Sequence, residues 1–128
     1  MAHATVEWTA NLDGKFDRQG LLRLIAEEMR DRAGGVFPVG GIRVRAICCS
    51  EYVIADEADP DYCFINIDVK MGVGRALEFR QRFFDQLFAA VVMHLGELFE
   101  QHPLALSLYV EEAEGWKKNS IHERLGKK

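Results

Sequence analysis

Tyr62-Cys63-Phe64-Ile65-Asn66-Ile67-Asp68-Val69-Lys70 alternates strictly, with Cys63, Ile65, Ile67 and Val69 on one side and polar or mixed residues on the other. A period of two predicts a β-strand with one covered face. Gly72-Val73-Gly74 breaks the strand. From about Ala76 to Gln101 the apolar residues Leu77, Phe84, Leu87, Phe88, Val91, Leu95 and Leu98 recur at helical spacing. Pro103 forbids further helix. Leu104 to Glu112 reads as another strand, with Leu104, Leu106, Leu108 and Val110 inward.

The first half repeats this strand-helix-strand plan. His3 to Trp8 alternates, Ala4, Val6 and Trp8 being the apolar side. After a turn at Asn11–Gly14, Asp17 is placed to cap a helix running to about Ala33, with Leu21, Leu22, Ile25 and Met29 facing inward. Gly34-Gly35 stops it, and Ile42 to about Cys49 follows as a strand. Polar Ser50 to Asp61 is a connector, since neither half could bury its own face alone. The pattern predicts one α/β domain over residues 1–128, built of pseudo-repeat halves at about 1–50 and 61–112 and a polar tail at 115–128 anchored by Trp116. Each unit should form a parallel strand pair by a right-handed crossover. Together they make a four-stranded mixed sheet with both helices on one face. The other face, carrying Arg43, Arg45, Ile47, Phe64, Asn66 and Tyr109, is too apolar to stay wholly in water, which predicts self-association.

Composition bounds the partners. A chain of 128 residues, 48% hydrophobic and 28% charged, supports a single core. Its net charge of −4 argues against bulk attraction to nucleic acid or to an anionic membrane, yet leaves room for a local pair of arginines to hold an anionic small molecule. Cys48, Cys49 and Cys63 form neither a disulfide framework nor a metal-ligand pattern, so reduced thiols are expected. No secretory pattern opens the sequence, and no apolar run approaches the ~20 residues of a membrane span. A cytoplasmic protein is expected.

Arg43 and Arg45 stand two apart on a strand and emerge on one face, roughly 6.5–7 Å apart. Each could hold a carboxylate in a fork of two hydrogen bonds, or pair with an acid of another subunit. Arg75 opens the long helix after a glycine turn, where amide groups and helix dipole favour an anion; the plain alternative is a solvated side chain at a turn. His3, His94, His102 and His122 lack ligand spacing, with His94 and His102 read as structural. Lys117, Lys118, Lys127 and Lys128 read as a solvated tail, and the phenylalanines as core or interface.

Three stretches carry a resemblance. Gly35-Val36-Phe37-Pro38-Val39-Gly40-Gly41-Ile42-Arg43-Val44-Arg45 resembles the loop and second strand of the 5-carboxymethyl-2-hydroxymuconate isomerase family. Asp61-Tyr62-Cys63-Phe64, continuing through Lys70-Met71-Gly72-Val73-Gly74-Arg75-Ala76-Leu77-Glu78-Phe79-Arg80-Gln81, resembles its third strand and helix start. Leu104-Ala105-Leu106-Ser107-Leu108, ending in Glu111-Glu112, is similar to its last strand. The resemblance implies a tautomerase-like fold assembled as a homotrimer. It implies an isomerase that needs neither metal nor organic cofactor and shifts a proton from enol to carbon on a carboxylated hydroxymuconate, in aromatic-compound degradation. It further implies a chain-terminal amine as base, with Arg43, Arg75 and Phe37 contacting substrate. The family's base is an amino-terminal proline; here Ala2 follows Met1, so the equivalent amine is that of Ala2 once Met1 is removed. Two alternatives remain beside this reading: a trimer that binds a small carboxylate without catalysis, and a related tautomerase acting on arylpyruvates.

Overall fold

The computed structural model describes residues 1–125. Four strands, β1 (Ala2–Thr9), β2 (Ile42–Cys49), β3 (Cys63–Met71) and β4 (Leu104–Glu112), form one sheet in the order β2-β1-β3-β4. The expected parallel pairs are β1 with β2 and β3 with β4, and the halves join through antiparallel β1 and β3. Helices α1 (Arg18–Asp31) and α2 (Leu77–Leu95) share a single core with the inward residues of the strands. Short turns α3 (Leu98–Gln101) and α4 (Ile121–Leu125) complete the chain, with single 3-10 turns at Ala10–Leu12 and Val39–Gly41.

Alternation in sequence becomes alternation in burial. Ala2, Ala4, Val6 and Trp8 of β1 and Cys63, Ile65, Ile67, Val69 and Met71 of β3 are buried against the helices. Asp17 caps α1 as expected, its Oδ1 accepting from the Gly20 amide at 3.0 Å. Leu21, Ile25 and Met29 are fully enclosed, while Leu22 is only half-buried.

Three expectations are corrected. The long helix does not run through to Gln101: Gly96 turns it at φ 48°, a backbone region that side chains with a Cβ avoid, and α3 resumes beyond. The inward stripe of α2 is displaced. Leu77 and Phe88 are exposed, whereas Phe83 is buried, because Phe37 from the preceding loop offers an aromatic partner with ring centroids 5.5 Å apart. Trp116 is not an anchor, being 90% exposed. Polar contacts of Asn119 and His122 hold the tail instead. Lys127 and Lys128 lie outside the described residues.

Gly96→Ala should cost about 1–3 kcal/mol, since alanine is strained at this φ and ψ. Urea unfolding should show a lower midpoint at unchanged slope.

Candidate active site at the strand ends

The strand register brings four chain segments to one end of the sheet. Ala2 is level with Ile42 of β2 and with Met71 of β3, and Met71 is level with Glu112 of β4. The start of the chain, the loop before β2, the loop after β3 and the tail after β4 therefore meet there. Ala113 extends the last pairing by donating its amide to the Met71 carbonyl at 2.8 Å.

A concavity of about 500 Å³ opens at this end, lined among others by Met1, His3, Arg43 and Lys117. Gly41 allows the close approach of the N-terminus, for a Cβ there would stand 3.3 Å from the Met1 Cα. Arg43 donates to Nε2 of His3, which must then be the unprotonated ring nitrogen. Burial, then the charges of Arg43 and Arg45, hold the His3 pKa below its ordinary value, in keeping with that acceptor role. The Met1 amine is lowered too, by burial first and then by Arg75, Lys117 and Arg43 in that order. A depressed amine pKa increases the fraction of free base near neutral pH.

Arg75 does not itself line the concavity, but its charge acts on the amine beside it. Its Nη1 donates to the Gly72 carbonyl at 2.9 Å, and its guanidinium lies 5.4 Å from the centre of the Phe37 ring. Glu112 braces the same loop, accepting from the Gly74 amide at 3.0 Å and pairing with Arg80 at 3.4 Å. Phe37 is 1% exposed and packed among Phe79 and Phe83, so it supports Arg75 from below and has no surface for direct substrate contact. Ala2 is likewise fully buried, and the residue of the chain start that lines the concavity is Met1.

Arg45 parts from Arg43. It lines a separate trough of about 690 Å³ on the open sheet face, with Glu7, Ile47, Asp68 and Tyr109. His94 and His102 contact Asp17 and Asp61, outside the concavity. Among the described residues no three His, Cys, Asp or Glu side chains cluster as metal ligands. Lys117 and Lys118, read in the sequence as solvated tail, line the concavity. Only their position just after the last strand hinted at it. Asn119 seats them by donating to the Gly40 carbonyl at 2.7 Å, and the His122 ring packs on Gly40, where a Cβ would clash at 2.6 Å.

Comparison with known proteins shows the family. The sequence model of 5-carboxymethyl-2-hydroxymuconate isomerase matches residues 2–125. The chain belongs to the 5-carboxymethyl-2-hydroxymuconate isomerase family. It is 34% identical over 125 residues to 5-carboxymethyl-2-hydroxymuconate Delta-isomerase of Escherichia coli, covering 95% of this chain and 97% of that protein. The crystal structure of a 5-carboxymethyl-2-hydroxymuconate isomerase from Deinococcus radiodurans R1 superposes with a TM-score of 0.87 at 36% identity, covering 97% of this chain and 93% of the other. At 16% identity and a TM-score of 0.57, a fused 4-OT wild type symmetric trimer shares the fold, over 91% of this chain and 95% of that one. That likeness is one of fold alone.

In this isomerase-family chain, replacing a cation beside the amine should relieve repulsion of its protonated form. Arg75→Ala should therefore raise the amine pKa, and by more than Arg43→Ala. The check is the pH dependence of N-terminal acylation followed by peptide mass spectrometry, in which the unsubstituted protein should react at lower pH than either variant.

Proposed function

We propose that the chain is an isomerase of a carboxylated 2-hydroxymuconate-type substrate in aromatic-compound degradation. The observation that carries this is the cationic setting at the start of β1, where the charges of Arg75 and Arg43 help to lower the pKa of the Met1 amine and neither arginine pairs with a carboxylate among the described residues. The free amine removes the enol hydroxyl proton, leaving a conjugated enolate. The same nitrogen returns a proton to a carbon of the chain, and the enol becomes a ketone. The shift is redox-neutral, so its scheme calls on no cofactor. Arg43 and Arg75 hold carboxylates and stabilise the enolate charge, which is worth most when it is positioned before the reaction begins.

Ala2 stands where the family has its catalytic proline. With Met1 removed, its primary amine occupies the end of β1 and retains basicity in a useful range. It lacks the ring that fixes the terminus, so slower proton transfer is expected. Were Met1 retained, the amine would stand one residue further out, and the second reading, a carboxylate-binding protein without turnover, would apply. We also assign the open sheet face to subunit contact in a homotrimer. Ile47 and Tyr109 are 51% and 65% exposed there, and Arg45 and Glu7 supply polar partners. The free thiols and the lack of any membrane-spanning helix among the described residues suit a cytoplasmic enzyme.

Ketonisation followed in the ultraviolet, with the N-terminus established by intact mass, tests the reading. Arg43→Ala and Arg75→Ala should each lower kcat/KM roughly 10- to 100-fold, the loss expected for a hydrogen bond to a charged group. Unchanged kinetics in both would remove these arginines from the site. Ala2→Pro in protein lacking Met1 should raise kcat. Sedimentation should give a three-chain mass, reduced towards one chain by Ile47→Glu.

A further inference from the structure

The muconate chain bears two carboxylates and the carboxymethyl arm adds a third. The site holds a surplus of positive charge. Arg43, Lys117 and Lys118 line the concavity, Arg75 stands at its side, and no aspartate or glutamate lines it. Among the described residues none of the four cations pairs with a carboxylate. In a chain of net charge −4 with 20 acidic residues, four unneutralised cations around one opening call for an anionic ligand.

We propose that Lys117 is a specificity-determining residue whose ammonium receives the carboxylate of the carboxymethyl arm, while Arg43 and Arg75 take the two carboxylates of the muconate chain. The assignment rests on the isomerase reading for its substrate. The division of labour follows from shape. Carboxylates conjugated to the diene are planar and fixed, which suits the rigid guanidinium fork. A carboxylate on a rotating methylene suits a point charge on a flexible stem. The tail that carries Lys117 is seated rather than loose, because Asn119 donates to the Gly40 carbonyl and His122 packs on the Gly40 Cα. Lys117 contributes more than Arg43 to lowering the terminal amine, so its charge is felt at the reacting end of the site. Trp116 lies on the same rim, 90% exposed, where an arriving ligand would cover it.

The test compares 5-carboxymethyl-2-hydroxymuconate with 2-hydroxymuconate, which lacks the arm, on unsubstituted protein, Lys117→Ala and Lys117→Arg. Lys117→Ala should reduce the preference for the three-carboxylate substrate, as a ratio of kcat/KM values, roughly 10- to 100-fold, mainly through KM. Lys117→Arg should restore most of it, and Asn119→Ala should lower it in the same direction by less. An equal loss on both substrates, or no loss on either, overturns the assignment. Should the unsubstituted protein convert neither substrate, the isomerase reading fails. Tryptophan-fluorescence titration with the same two compounds then decides the role of Lys117. A binding preference for three carboxylates that vanishes in Lys117→Ala sustains it, and an absent or unaltered preference overturns it.

Discussion

The antiparallel pairing of β1 with β3 is the constraint on which the site depends. It sets Ala2 level with Met71, so the start of one repeat lies beside the end of the central strand of the other. Parallel pairing within each repeat then adds the loop before β2 and the chain after β4 to the same end. A slip of one residue would turn Ala4, Val6 and Trp8 out of the core and His3 into it. Apolar burial on one face thus holds the register that assembles the polar residues at the sheet's end.

Electrostatics at that end are one-sided, and the structure supports them locally. Arg75 is held by a carbonyl and an aromatic face, neither of which cancels its charge. Glu112 is the nearby acid, but it spends its oxygens on the Gly74 amide and on Arg80. The loop is therefore braced without neutralising the residue it presents. Arg43 is paired with a neutral histidine, which steadies the side chain and leaves its charge available. Each cation near the amine lowers its affinity for a proton, so groups suited to hold an anion also tune a base.

The open face of the sheet has a different character. Glu7, Asn66, Asp68 and Ser107 form a hydrogen-bonded line across it, with Ser107 donating to Asn66 at 2.6 Å and Asn66 to Glu7 at 3.3 Å. Ile47 and Tyr109 flank this line as exposed apolar surface. His3 borders both the trough and the concavity, so covering this face would also complete a wall next to the site.

Much of this molecule was legible from local pattern. Period-two runs located β1, β3 and β4, the stretch after the glycine-rich loop was read as β2, Asp17 capped its helix, and the spacing of Arg43 and Arg45 placed both on one sheet face. The family motifs pointed to Arg43 and Arg75, and the fold sets both around the terminal amine. What local pattern could not supply was decided by contacts distant in sequence. The resemblance implied that Phe37 contacts substrate; packing against Phe79 and Phe83 placed it in the core. Arg45 differed from Arg43 only when neighbouring strands gave each its surroundings. Lys117 looked like solvated tail until an asparagine two residues on found a carbonyl 79 positions away. Periodicity records which side of an element faces the core, because burial acts residue by residue along the chain. Which charges meet is set by register and loop docking, and these exist only once the elements have packed.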